Sequence, residues 1–232
     1  MQSTEFTSAD LVTYVTSGLV YNFDASNSTS YPGTGTTWTS VNGISGGTAT
    51  LINGPTYSST NGGSITVDGS NDYITLPTTG MNSNADFTLE IAFKKYTTTV
   101  NRLIFGGNTI GHLSMRSYLA SNYYTGLIRG DQLELGNFGV SSSTADNTNY
   151  VLTLSLNKST TTFSLYLNGT FINTLNPGNQ TFTTNAPTLG RHLTAYEYSN
   201  TTYYGLKWYN RELTGSEVLQ NYNTIKGRLG LT

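Results

Sequence analysis

The chain has no cysteine, which removes a disulfide framework, a thiolate nucleophile and any cysteine-ligated metal in one step. Charge is scarce as well: 10% of residues are Asp, Glu, Lys or Arg, against about 25% in an ordinary soluble domain. The 13 acids and 11 bases leave a net charge of -2, too little to draw the chain to nucleic acid or an anionic membrane. Histidine is limited to His112 and His192, in separate stretches with no HxxxH spacing or carboxylate cluster beside them. A transition-metal site is therefore not expected. No apolar run approaches the roughly 20 residues that span a bilayer. The opening residues, MQSTE, lack the basic and apolar segments of a secretory signal. The expectation is a chain made in the cytoplasm, with neither a membrane nor nucleic acid as partner.

Ser, Thr, Asn, Gly and Tyr fill the space that charge leaves. That composition suits many short strands joined by polar turns, and 232 residues suit a single β sandwich. The stretch from Tyr203 to Leu229 organises the rest. Tyr204, Leu206 and Trp208 alternate with Lys207 and Tyr209, the period of a half-buried strand, and are expected on one face. Thr214 and Glu217 then have capping-box spacing, with Leu213 and Val218 placed for a hydrophobic staple. Val218, Leu219, Tyr222 and Ile225 make an apolar stripe at helical spacing, and Gly227 is expected to supply a left-handed stop.

Upstream, residues 1–17 read as an arm, either extended or opening a helical turn, ahead of a domain over residues 18–232. Leu19, Tyr21 and Phe23 mark a first strand. Residues 64–67 and 72–76 read as strand, tight turn, strand around DGSN. Phe87, Leu89, Ile91 and Phe93 alternate cleanly, as do Leu152, Leu154 and Leu156. Residues 126–129 and 132–135 flank Gly130 and Asp131 as a hairpin. Phe163, Leu165 and Leu167 lead into Asn168 and Gly169, the strongest short hairpin signal, with a partner strand over residues 170–175. About a dozen short strands and one closing helix predict an all-β, antiparallel two-sheet jelly roll. No fixed-period repeat points to a propeller or solenoid.

Several of these stretches resemble one family. GLVYNFDA at residues 18–25 resembles the opening strand of laminin-G-like, concanavalin A-like lectin/glucanase jelly rolls. NGPTY at 53–57 with GSITVDGSNDYI at 63–74 resembles a second hallmark, LYLNG at 165–169 the hairpin, and WYNRELT at 208–214 the closing strand and cap. With SYPGTG at 30–35, the wording is most similar to versions found in virion structural proteins of tailed, especially marine, phages. The resemblance implies that the first and last strands are adjacent, with residues 19–23 beside 206–209.

Catalysis needs a test, because that family includes glycan-cleaving enzymes. Retaining hydrolysis uses two carboxyls about 5–5.5 Å apart, which alternate positions on one strand could supply. Glu90 stands alone between Leu89 and Ile91, and the odd spacing of Asp131 and Glu134 puts them on opposite faces. Glu90 reads as a solvated strand-face charge, no catalytic residue is assigned, and an endoglycanase is a remote alternative. Asp68, Asn71 and Asp72 share one turn and are candidate calcium ligands; Asx residues in turns more often bond their own backbone. No other cofactor is indicated.

Tyrosine is the most informative excess, with 17 in the chain. Tyr118, Tyr123, Tyr124, Tyr196 and Tyr198 fall in stretches that otherwise read as loop, the last two beside Arg191 and His192. Such side chains offer flat apolar area and a hydroxyl at low entropic cost. They either cover strand edges, stack on sugar rings or form a subunit contact. The expectation is a non-enzymatic phage virion protein, a capsid decoration or fibre-like module assembled in the host cytoplasm. Its partners would be capsid or tail proteins and surface polysaccharide, with homo-oligomerisation open. The alternative is a dedicated carbohydrate-binding, receptor-recognition module.

Overall fold

In the computed structural model the strand Asn200–Tyr209 lies inside one sheet, paired along both of its edges. The structure describes residues 13–232 except 83, 97–101, 107–112, 118–123, 131–132, 135–138, 141–146, 177–186 and 193–196. Along one side the central strand pairs antiparallel with Phe87–Lys95, Trp208 opposite Leu89 and Leu206 opposite Ile91. Two shorter strands share its other side: Ser64–Asp68 takes residues 200–203 and Leu19–Asp24 takes 205–209. The opening and closing segments thus lie side by side, with Phe23 opposite Leu206, as the family resemblance implies.

These strands belong to an eight-stranded sheet that continues from Phe87–Lys95 through Thr148–Asn157 and Thr162–Leu167 to Thr170–Leu175, and from Ser64–Asp68 to Thr56–Ser58. A nine-stranded second sheet runs from Leu133–Glu134 through Tyr124–Gly130, Leu113–Ser117, Arg102–Gly106, Thr188–Leu189, Tyr73–Thr75 and Thr48–Ile52 to Thr37–Thr39; Gly139–Val140 also pairs with Tyr124–Gly130. The fold is an antiparallel jelly-roll sandwich. Phe87, Leu89, Ile91 and Phe93 face the second sheet's Ile74, Ile104, Phe105, Met115 and Leu189 in one buried core. Phe87 stacks on Trp208 at 4.7 Å between ring centres, and Tyr203 donates from its hydroxyl to Ile104 O at 2.9 Å, across the two layers. Burial pushes that phenol far above its ordinary pKa, so it stays a donor.

The expected hairpin forms: Asn168 and Gly169 both have positive φ, 50° and 73°, as a two-residue primed turn requires. Residues 64–76 behave otherwise. Ser64–Asp68 lies in the first sheet and Tyr73–Thr75 in the second, so the turn between them crosses from layer to layer and does not close a hairpin.

Thr88, Glu90 and Ala92 point away from the core, and the helix Gly215–Ile225 (α1) covers that outer face. Thr214 Oγ1 accepts from Glu217 N at 3.3 Å and Glu217 Oε2 accepts from Thr214 N at 2.9 Å, the capping box anticipated. Leu213 and Val218 pack together with Leu19 and Tyr209. Two details of the helix differ from expectation. Leu219 is 46% exposed, and its place on the buried stripe goes to Asn221, which donates to Tyr209 Oη at 3.0 Å and accepts from Val15 N at 2.8 Å. Gly227 is not left-handed; the chain turns on past the helix and the positive φ comes at Gly230 (67°).

The central strand also departs from simple alternation. A bulge lies between Tyr203 and Gly205, so Tyr203 joins Leu206 and Trp208 in the core while Tyr204 turns to the outer face beside Tyr222 and Leu229. One extra residue reverses the facing of every side chain beyond it. Of the expected arm, residues 1–12 lie outside the described residues. Residues 13–17 rest on α1: Gln220 Nε2 donates to Thr13 O at 2.7 Å, and the Tyr209 hydroxyl donates to Val15 O at 2.9 Å.

Candidate functional site

At one end of the sandwich, Thr188–Leu189 leaves the second sheet and Gly190 redirects the chain. A Cβ at Gly190 would stand 2.8 Å from Val67 Cγ2, and its φ is +81°, so glycine alone fits this corner without strain. Arg191–His192 then pairs with Glu197–Tyr198 in a short ribbon, Arg191 opposite Tyr198 and His192 opposite Glu197. The ribbon is tied down where Ser199 N donates to Gly190 O and Thr188 Oγ1 donates to Arg191 O.

The Arg191 guanidinium is held between two aromatic faces. Its central carbon lies 4.6 Å from the Tyr73 ring centre and 5.4 Å from that of Tyr198, with both rings half-buried. The guanidinium is delocalised and weakly hydrated, which suits it to this position between rings. The arrangement fixes a cation and two flat apolar surfaces at the sandwich rim.

The Asp68 turn abuts the same rim, since Asp68 lies opposite Asn200. Asp68 Oδ1 accepts from the backbone N of Ser70, Asn71 and Asp72 at 2.8, 3.2 and 3.3 Å. Those bonds, led by Ser70, hold the Asp68 carboxyl below its ordinary value despite some opposing burial. Burial, then the neighbouring Asp68 charge, pushes Asp72 up. Ca²⁺ takes about six to eight converging oxygens. Here one carboxylate is occupied by its own backbone, and among the described residues no three His, Cys, Asp or Glu side chains converge. The donor set fits an Asx turn and not a calcium cage.

Strand register carries Tyr124 to the same end of the second sheet: Leu189 is opposite Phe105, Arg102 opposite Ser117, and Ser117 opposite Tyr124. Three strand spacings of about 4.8 Å separate the Tyr124 strand from Thr188–Leu189, which leads into the ribbon. Tyr118, Tyr123 and Tyr196 lie outside the described residues, as does Asp131; of Tyr124, His192 and Glu134 the backbone alone is described. Tyr73 carries one of the two rings, although its sequence pattern marks it only as a strand residue. Its contact with Arg191 is made across strands, so no local spacing announces it.

A family model described as the concanavalin A-like lectin/glucanases superfamily, laminin G type, matches residues 68–219. The chain belongs to this superfamily. No curated protein matches it at significant similarity. Among solved structures, the sandwich is similar to the binding domain of botulinum neurotoxin serotype D, with TM-score 0.70 and 9% identity over 90% of this chain and 52% of that one. It is also similar to the binding domain of botulinum neurotoxin DC in complex with rat synaptotagmin II (TM-score 0.68, 11% identity, 90% and 52% covered). A Trypanosoma rangeli sialidase in complex with the inhibitor DANA matches with TM-score 0.65 and 16% identity, covering 98% of this chain and 36% of that one. The chain spans about a third to a half of the length of these structures, and at such identity the likeness concerns the fold.

Among concanavalin A-like folds that cleave glycans, two free carboxyls must work as a pair, so the carboxylates here matter. Glu90 is not a solvated surface charge, as its strand position suggested. It is 3% exposed and receives Lys207 Nζ at 2.7 Å, because the helix and the segment over residues 13–17 roof the outer face on which it stands. Asp24 is bound by Arg228 Nη1 at 2.8 Å. Burial alone would raise the Asp24 carboxyl, but the Arg228 charge and hydrogen bond prevail and lower it.

Proposed function

We propose that this chain is a non-enzymatic module of a phage virion, a capsid decoration or fibre-like protein displaying a lectin-type jelly roll. It adheres to surface glycans through the rim of Tyr73, Arg191 and Tyr198. The observation that carries the adhesive part is the Arg191 guanidinium fixed between two half-buried tyrosine rings. Sugar rings present C–H faces for stacking and hydroxyls for a cation to hydrogen-bond, and such a rim offers both.

The non-enzymatic part is supported by the state of the carboxylates. A general acid for glycoside cleavage needs a raised pKa and a second carboxyl free to act with it; Asp24 is lowered, Glu90 is committed to Lys207, and Asp72, though raised, has as its neighbour an Asp68 carboxylate held by its own backbone. The virion part is supported by the wording of residues 18–25, 30–35 and 208–214, and by an exterior rich in hydroxyls and poor in charge. Assembly in the host cytoplasm, capsid or tail partners, and attachment through residues 1–17 belong to the same reading.

Two measurements test it. Mass spectrometry of purified particles should find the protein beside capsid and tail proteins, and absence from particles removes the virion role. Binding to arrays of bacterial surface polysaccharides should be lost in Arg191→Ala, and unchanged binding removes the adhesive role. A second reading, a dedicated receptor-recognition module outside the coat, is favoured by the likeness to binding domains of neurotoxins. It requires binding to glycan together with absence from particles.

A further inference from the structure

The outer face of the first sheet holds a charged cleft that the rim and the core leave unused. Asn22 and Asp24 reach it from Leu19–Asp24 and Lys207 from the central strand; Thr224, Ile225 and Arg228 close it from the helix side, and Tyr14 from the N-terminal segment. The cleft is about 190 Å³. Beneath it a cavity of about 20 Å³ shares Asn22, Asp24, Lys207, Ile225 and Arg228 and is also lined by Glu90. We propose that this cleft binds a neutral polyol the size of a single sugar ring. The site is distinct from the rim, and the proposal does not depend on the adhesive reading.

Charge decides the class of ligand. Two cations meet two carboxylates, Lys207 Nζ on Glu90 Oε1 at 2.7 Å and Arg228 Nη1 on Asp24 Oδ1 at 2.8 Å, so the walls sum to no net charge. An anion or a cation entering here must break one of these pairs or repel a member of it. What the pairs leave over is a polar valence of each sign: among the described residues, buried Glu90 Oε2 meets no protein donor and buried Arg228 Nε no protein acceptor. A hydroxyl group both donates and accepts, so a polyhydroxylated neutral ligand completes the set and disturbs neither pair. Glu90, which lines the inner cavity, is the acceptor that a ligand hydroxyl or a bridging water meets there.

Size narrows the class. The cleft, about 190 Å³, is on the scale of a single sugar ring. The inner cavity exceeds the roughly 10–15 Å³ that a single water needs, so one hydroxyl, or one water bridging to it, fits between the ring and Glu90. Tyr14 supplies an aromatic wall, with Lys207 Nζ 5.5 Å from its ring centre, and Ile225 an aliphatic one, for the ring's C–H faces.

The test is an amide chemical-shift titration of the full chain with D-glucose, D-galactose and N-acetyl-D-glucosamine. D-glucuronate and D-glucosamine serve as charged counterparts, and dextran as a chain of mostly internal units. Saturable shifts at Ala92 and Gly205, at least tenfold weaker for both charged sugars, are expected. Thr224→Trp, or Ser26→Trp (Ser26 also lines the cleft), should weaken them at least tenfold with an unchanged melting temperature; two blocking variants guard against one that fails to fold. Phe171→Ser, far from the cleft, should bind as the parent does. No saturable shift with any neutral sugar overturns the proposal, as does binding that survives both blocks, equal binding of a charged sugar, or dextran binding per unit as well as glucose. Shifts confined to Tyr73 and Tyr198 overturn the cleft and leave the rim standing.

Discussion

Lys207 Nζ lies 2.7 Å from Glu90 Oε1 across neighbouring strands where the two residues are directly paired, and the side chains are 11% and 3% exposed. Removing one partner of such a pair strands a buried charge, which costs about 3–5 kcal/mol, whereas replacing both by apolar groups is often neutral. Lys207→Met should therefore lower stability by about that amount. The double substitution Glu90→Leu with Lys207→Met should recover most of it. Urea unfolding midpoints of the parent and the two variants check this, and a double variant as weak as the single one would contradict it.

Glu217 links the helix cap to the strand that precedes it. Arg211 donates to both its carboxylate oxygens, Nη2 to Oε1 at 2.5 Å and Nη1 to Oε2 at 2.9 Å. Chiefly through those bonds, Glu217 is lowered from 4.5 to about 2. A carboxyl lowered by folding contributes stability that is present above its unfolded pKa and lost as pH falls toward the folded one. The window here runs from about 4.5 down to about 2. Melting temperatures near pH 7 and near pH 3 should differ more in the parent than in Glu217→Gln, after the common acid loss is subtracted. Equal differences in the two would remove Glu217 as the cause.

The turn at Gly169 is where the hairpin meets the helix. Its φ is 73° and a Cβ there would come 2.9 Å from Tyr222 Cδ1 and 3.1 Å from Leu219 Cδ1. A left-handed L-residue costs roughly 1–2 kcal/mol, and the collision adds to it. Gly169→Ala should destabilise by about 2 kcal/mol and loosen α1, seen as faster amide exchange at Tyr222. Exchange unchanged at Tyr222 would place the cost in the turn alone.

What was legible in the sequence were features whose cause is local. The Thr214 and Glu217 box, the Asn168 and Gly169 turn and the alternation of Phe87 to Phe93 all read directly, because each is set by residues a few positions apart. Adjacency of the first and last strands came from family wording, not from any pattern in the residues. What escaped depended on partners far along the chain. The bulge at Tyr204 flips its facing, and composition gives no hint of it. Nothing around DGSN says which sheet receives Tyr73. Glu90 looked solvated because the helix that roofs it lies far downstream, and Leu219 looked buried because helical spacing marks a stripe without its width.

Arg191 offers the sharpest test of the rim. Cation–π contacts at exposed sites are worth about 0.5–1 kcal/mol each, and Arg191 makes one with Tyr73 and one with Tyr198. Arg191→Ala should thus release the ribbon by about 1–2 kcal/mol while the sandwich core, anchored at Trp208, keeps its melting temperature within a few degrees. Arg191→Lys should not restore it, since a compact ammonium lacks the flat face that lies against both rings. The readout is amide exchange at Tyr198 and Ser199, whose N–H bonds back to Gly190 O at 2.8 Å. Faster exchange there in both variants, with glycan adhesion falling in parallel, is the expected result. If adhesion persists while the ribbon loosens, the rim is not the adhesive surface.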